Sequence, residues 1–348
     1  MTDENNENVQ DSVETLEAID VGDVAQHPIM RDAAILPTRS IEELVNTVRS
    51  WLDYLLPGAI VWGNFRTGKT QAIRYLLANV EKFLGGKIPA YLLSMWDSEF
   101  QAITENRFYQ EILYVLGYKL PESGTAAIKR RRVIDFMIER AREAGEHRIL
   151  FCIDEAQWLE RKQYRCLMDL HNQLKLADIR LIVILIGQSE LLEMKEGLRS
   201  ARQGHLVGRF MTCTHRFDGV VTYDDIRRML WSLDEGSEYP TGSGKSYTAF
   251  FVPEAYLAGF RMEGYARLLW DVIRKAVEKA GLPKIKELPI QAISAILRTW
   301  LQELATVDAP ELEITERMLE DIVYRVAFLQ IQDHLLQTHS TAAERKAA

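Results

Sequence analysis

The residues best placed to do chemistry form one octet, Gly63-Asn64-Phe65-Arg66-Thr67-Gly68-Lys69-Thr70, which fits the spacing GxxxxGK[ST]. Glycines let backbone N–H groups curl around phosphate oxygens. The lysine brings a cation to β- and γ-phosphates, and the following hydroxyl can ligate Mg2+. The octet therefore predicts a site for ATP, with Lys69 on the phosphates and Thr70 on the metal. An acidic pair, Asp154-Glu155, ends the apolar run that starts at Arg148. Asp154 there can share the Mg2+, and Glu155 can polarise the water that attacks the γ-phosphate. Further along, Gln188 follows the apolar run Leu181–Ile186 and Gly187, where an amide could orient that water.

These residues need elements to hold them. A helix capped by Thr38 or Ser40 runs to Leu56, and Pro57-Gly58 ends it. A short apolar strand, Ala59–Trp62, leads into the octet, and a helix from Lys69 to Leu84 comes next, closed by Gly85-Gly86. Further strands are expected at Ala90–Ser94, Ile149–Ile153 and Leu181–Ile186, with helices at about 107–116, 126–143 and 161–176. Short continuous apolar strands alternating with amphipathic helices predict an α/β fold, a parallel sheet covered on both faces. After about residue 218 strand signals stop. Helices are expected from Thr222 onward and near 265–280, 288–304 and 314–336, with Trp231, Trp270 and Trp300 as core residues.

A second stretch, Thr241-Gly242-Ser243-Gly244-Lys245-Ser246, imitates the octet. Tyr239 stands where its first glycine belongs, no apolar strand precedes it, and Pro253 interrupts any long helix after it. It is predicted to be a loop.

The chain has 348 residues, 47% hydrophobic and 26% charged, long enough to bury a substantial core. Its longest apolar run, Leu181–Ile186, is far short of the roughly 20 residues that span a bilayer, so no membrane partner is expected. There is no signal-peptide pattern at the start. The cysteines (Cys152, Cys166, Cys213) are odd in number and lack CxxC spacing, which fits a reducing, cytoplasmic compartment. The net charge of −8 argues at face value against a nucleic-acid partner. Yet residues 1–32 hold nine acids and one base, which is the whole −8, and the remainder balances 41 bases with 41 acids. The acidic segment is expected to be a disordered tail. The body is locally basic at Lys129-Arg130-Arg131-Arg132, with Lys119 and Thr125 just upstream, and across 195–216. The run of four is either a solvated helix face or a track for the phosphates of double-stranded DNA, bound without sequence preference and with strong salt dependence.

Taken together, the octet, the Asp154-Glu155 pair and the Gln188 strand end resemble the AAA+ ATPases, in the branch that holds replication initiators and transposition regulators. Within that branch the segment Glu105–Gly117 and the stretch Ile186-Gly187-Gln188-Ser189-Glu190-Leu191 resemble the transposition ATPases TnsC and TniB, with MuB and IstB more distant. The resemblance implies an AAA+ P-loop sheet domain followed by an all-α lid and a helical extension. The expected boundaries are 33–217 for the sheet domain, 218–285 for the lid and 286–338 for the extension, with a disordered tail at 339–348. It also implies an arginine finger acting on a neighbouring subunit: Gly208-Arg209-Phe210 nominates Arg209, with Arg199, Arg202 and Arg216 as rivals. Gly264-Tyr265-Ala266-Arg267 nominates Arg267 as a lid arginine on the nucleotide. The function it implies is ATP-dependent assembly on DNA as a ring or filament, recruitment of transposase subunits with a target-selection adaptor, and release on hydrolysis. The alternatives are an initiator or helicase-loading ATPase, and a protein-binding signalling or secretion ATPase.

Overall fold

The computed structural model describes residues 21–96, 103–281, 287–326 and 328, and the chain divides into two units. The first described helix, α1 (Val21–Gln26), belongs to the helical unit. Among the described residues, 37–96 and 103–221, joined by 287–291, form the sheet unit.

The sheet unit opens with α2 (Arg39–Asp53), where Thr38 accepts from the Ile41 N–H as N-cap. Next come β1 (Gly58–Trp62), α3 (Lys69–Ala78) and α4 (Val80–Leu84). The single helix expected over 69–84 is thus two helices, parted at Asn79, whose side chain turns back onto the Tyr75 carbonyl. β2 (Ala90–Ser94), α5 (Glu105–Val115), α6 (Ala126–Glu143) and β3 (Arg148–Asp154) come after these. Beyond them lie α7 (Arg161–Leu176), β4 (Arg180–Gly187), α8 (Glu190–Ser200), α9 (Gly204–Phe210) and β5 (Cys213–Arg216).

All five strands are parallel, in the order β2-β3-β4-β1-β5. β3 and β4 are buried almost throughout because helices cover both faces, which is why their sequences are continuous apolar runs. Each fully buried Ile, Leu, Val or Phe there contributes about 1.5–3 kcal/mol of transfer free energy. Placing β1 between β4 and β5 brings the C-terminal ends of β1, β3 and β4 side by side, the position where open parallel sheets bind ligands. β5 is an element that no pattern in the sequence marks. It has four residues, Cys-Thr-His-Arg, alternating half-buried with exposed as an edge strand does, so no apolar run announces it.

Among the described residues, the helical unit comprises 21–36, 222–281, 292–326 and 328. Its helices are α1, α10 (Tyr223–Asp234), α11 (Tyr247–Phe251), α12 (Pro253–Leu257), α13 (Ala266–Lys279), α14 (Ile290–Leu304, whose first two residues belong to the sheet unit) and α15 (Glu316–Arg325). Thr222 and Asp225 form a reciprocal capping box at the start of α10. α13 and α15 pair through Lys275–Glu316 at 2.5 Å and Lys279–Glu320 at 3.3 Å. The segments expected to be separate lid and extension therefore share one unit. Trp300 is fully buried there, as expected. Trp231 is 46% exposed and is not a core residue.

The acidic segment also differs from expectation. Its residues 1–20, like the 339–348 tail and the end of the 314–336 helix, lie outside the described residues. Residues 21–32 are folded. His27 and Ile29 are buried, and the His27 ring packs among Tyr247, Tyr239, Phe251 and Phe250 at centroid distances of 4.4–4.9 Å. Arg298 of α14 donates to the Ile29 carbonyl at 2.9 Å and pairs with Asp32 at 2.5 Å. The short run His27-Pro28-Ile29 is enough to anchor an otherwise acidic stretch of chain. The imitation octet at 241–246 is a loop, as expected. The Glu238 carboxylate accepts from the Gly244 N–H at 2.6 Å, and Ser246 caps α11.

Candidate nucleotide site

The octet is the turn between β1 and α3. Its first glycine is a packing requirement: a Cβ on Gly63 would stand 2.2 Å from the Phe217 carbonyl oxygen. Gly68 holds φ +95° at the N-cap of α3, leaving that helix's first N–H groups directed at the loop. Lys69 is buried, and its Nζ donates to the carbonyls of Gly63 (3.0 Å) and Asn64 (2.6 Å). Burial lowers its pKa, opposed by the carboxylates of Glu155, Asp154, Glu287 and Glu190.

Thr70 Oγ1 donates to Asp154 Oδ2 at 2.6 Å, while Asp154 Oδ1 accepts from the Glu155 N–H at 3.1 Å. A hydroxyl and a carboxylate fixed against each other beside a phosphate turn are a donor set suited to Mg2+, which takes few protein oxygens and keeps phosphate and water ligands. Glu155 sits at φ +51°, an uncommon left-handed position for a non-glycine residue, which re-aims its side chain as β3 ends. Gln188 comes directly after β4, and the Gly63 N–H bonds the Gly187 carbonyl at 3.3 Å, so Gln188 begins next to the loop. Gly63–Thr70, Asp154, Glu155 and Gln188 therefore converge on one edge of the sheet.

Two further contributors carry little or no local sequence signal. Gln157 donates from Nε2 to Glu155 Oε2; its only sequence signal is its place two residues after the acidic pair. Glu287 accepts from Asn64 Nδ2 at 2.6 Å and from the Gly219 N–H, and Ile290 packs on Gly68. No local pattern marks a residue 223 positions away from its partner.

The candidate arginines make other contacts. Arg209, on α9, donates to Asn172 Oδ1 at 2.6 Å; among its rivals, Arg199 pairs with Glu196, and Arg216 pairs with Asp218 and, at 3.4 Å, with Glu287, the residue that holds Asn64. Arg202 is exposed, at φ +55°. Arg267 belongs to the helical unit, where it pairs with Asp271 at 3.1 Å and lies over the Tyr223 ring.

The basic run does not form one surface. Four consecutive helical residues sweep about 300°, so they point in different directions. Lys129 is only 1% exposed and donates to Asn106 Oδ1 (2.8 Å) and Gln110 Oε1 (2.7 Å), filling a polar gap between α5 and α6. Arg130 forks onto Asp169, and Arg132 donates to the Ser123 carbonyl at 2.6 Å. Arg131 points outward with 76% of its side chain exposed, Lys119 is exposed, and Thr125 is the N-cap of α6.

This sheet order, phosphate loop and Asp154-Glu155 pair define an AAA+ P-loop fold with a helical C-terminal part. Residues 58–194 match the family model described as "AAA domain", a nucleotide-hydrolysing ATPase domain. Among solved structures, the chain is similar to Aeropyrum pernix Orc1 in complex with DNA (17% identity, TM-score 0.43, 87% of each chain covered). It is also similar to Cdc6p of Pyrobaculum aerophilum (14%, TM-score 0.38, 84% of this chain and 87% of that one). A third is a Walker-type ATPase of Pyrococcus abyssi (17%, TM-score 0.43, 85% and 90%). A search of curated proteins gave no significant match. Among the described residues, no helix is long and apolar enough to cross a membrane.

Proposed function

We propose that the chain is a Mg2+-dependent ATPase that works as an oligomer on DNA, in the AAA+ branch of replication initiators and transposition regulators. The observation that carries the ATPase reading is the 2.6 Å bond from Thr70 to Asp154 beside the buried Lys69. The N–H groups of 63–70 bind the phosphates. Lys69 exchanges its carbonyl partners for phosphate oxygens, and Thr70 and Asp154 hold the Mg2+. When bound, Mg2+ neutralises charge on the phosphates. Glu155 takes a proton from the attacking water, and Gln188 orients it. Arg209 reaches the site of a neighbouring subunit and Arg267 closes over the nucleotide within its own chain.

DNA contact is assigned to the backbone, through Lys119, Thr125, Arg131 and Arg132. Arg130 and Lys129 support that surface from within. Two finer readings differ in partner. A regulator of transposition, favoured by the resemblance of 105–117, recruits transposase subunits with a target-selection adaptor. An initiator or loader engages replication machinery.

The test is ATP hydrolysis and duplex binding by the full chain, with and without Mg2+, at several salt concentrations, with pull-down of transposase or helicase subunits. Hydrolysis lost without Mg2+, together with salt-sensitive, ATP-dependent binding, is the expected result. Salt-insensitive or sequence-selective binding excludes the backbone reading.

A further inference from the structure

The amide of Gln157 is caught between two demands. Its Nε2 donates to Glu155 Oε2. Its Oε1 is buried and has no hydrogen-bond partner. Turning the amide over would set oxygen against carboxylate, so Glu155 dictates the orientation and leaves the acceptor unmet. Leaving a buried acceptor unpaired is unfavourable, so the Glu155 contact holds against an opposing cost. The position is also tight: a Cβ on Gly187 would stand 2.1 Å from Gln157 Oε1. Gln157 therefore lies between Glu155 and the end of β4, where Gln188 begins.

We propose that Gln157 is a positioning residue that latches Glu155, and that hydrolysis requires the amide to leave Oε2. The inference rests on reading Glu155 as the carboxylate that takes the water proton. An oxygen already accepting from an amide is a poorer acceptor for that proton. Glycine at 187 leaves room for the amide, so the end of β4 and the latch are mechanically joined. Movement of the Gln188 segment reaches Glu155 through Gln157.

The experiment measures kcat and KM for ATP with the full chain carrying Q157M, Q157A, G187A, G187A/Q157A or E155Q. Q157M keeps the volume and removes the donor, so it separates latching from packing. Both Q157M and Q157A are expected to raise kcat about tenfold, the scale of one hydrogen bond to a charged group, with KM unchanged. G187A pushes the amide away and gives the same rise, which is absent on the Q157A background because both act on one contact. E155Q abolishes turnover. If E155Q is inactive and Q157M is no faster than the unsubstituted chain, or changes KM instead, the latch is overturned by itself. If E155Q still turns over, the reading of Glu155 falls and the latch falls with it.

Discussion

Thr70 and Asp154, 84 positions apart in the chain, share a 2.6 Å hydrogen bond that joins the first turn of α3 to the end of β3. Its polarity is informative. The hydroxyl donates, so its lone pairs stay available to a cation. Oδ1 of Asp154 is already committed to the Glu155 N–H. T70A should therefore lower kcat by about 100-fold, the scale seen when one preorganised polar group that stabilises developing charge is removed from an active site. The apparent Mg2+ requirement should rise, and the melting temperature should move by only a few degrees. Titrating Mg2+ in the hydrolysis assay checks this.

K69A and E155Q should separate binding from chemistry. K69A removes the cation from the loop and should abolish binding of a fluorescent ATP analogue. E155Q should bind the analogue with nearly unchanged affinity while losing turnover, which identifies Glu155 with the chemical step.

Arg209 supplies a test of cooperation between subunits. R209A and K69A chains should each be inactive alone. A mixture should regain activity, because a K69A neighbour can still present Arg209 to an intact R209A site. A mixture as inactive as its components counts against Arg209 as the finger.

Lys129 and Arg131 should behave in opposite ways. K129A strips a shared ammonium donor from two part-buried amide oxygens, Asn106 Oδ1 and Gln110 Oε1, and should cost about 2–3 kcal/mol of stability in denaturant unfolding. R131A removes an exposed i,i+4 pair with Asp135, worth less than about 1 kcal/mol, and should instead weaken duplex binding and flatten its salt dependence.

Two buried histidines set an acid limit on stability. Burial lowers His27 from 6.5 to about 4; burial, reinforced by Arg209, Arg180 and Lys175, lowers His171 to about 4. Below pH 6.5 the unfolded chain binds protons that the folded chain refuses. Stability from these groups is therefore complete above pH 6.5 and falls as the pH drops towards 4, by up to about 2 kcal/mol per histidine at pH 5. H27F, whose ring suits the same aromatic surroundings, should remove about one proton from the pH slope of unfolding.

Much of this was legible in the sequence because it is local. The octet, the acidic pair and four strands are contiguous patterns, and α6 and α7 begin and end where capping and periodicity place them. Other features depend on distant partners. β5 is too short to show an apolar run, and Glu287 reaches Asn64 from a segment on the far side of the helical sequence. Lys129 reads as surface charge until α5 supplies two amide oxygens to surround it. The order of the strands, which gathers Asp154, Gly63 and Gln188 at one edge, is a property of the whole sheet that no window of residues contains.

The docking of His27 divides the acidic N-terminal segment into two parts with different consequences on removal. Residues 1–20 carry seven acids and no base, whereas 21–32 carry two acids and one base along with the aromatic anchor. Trimming to residue 20 removes seven acids and no base, and should raise the isoelectric point and the affinity for duplex. Trimming to residue 32 also pulls a plug from the helical unit, exposing the rings of Tyr239, Tyr247, Phe250 and Phe251 as an adhesive patch. The shorter protein should melt earlier and self-associate, so an assay on it would mistake a packing injury for an effect of charge.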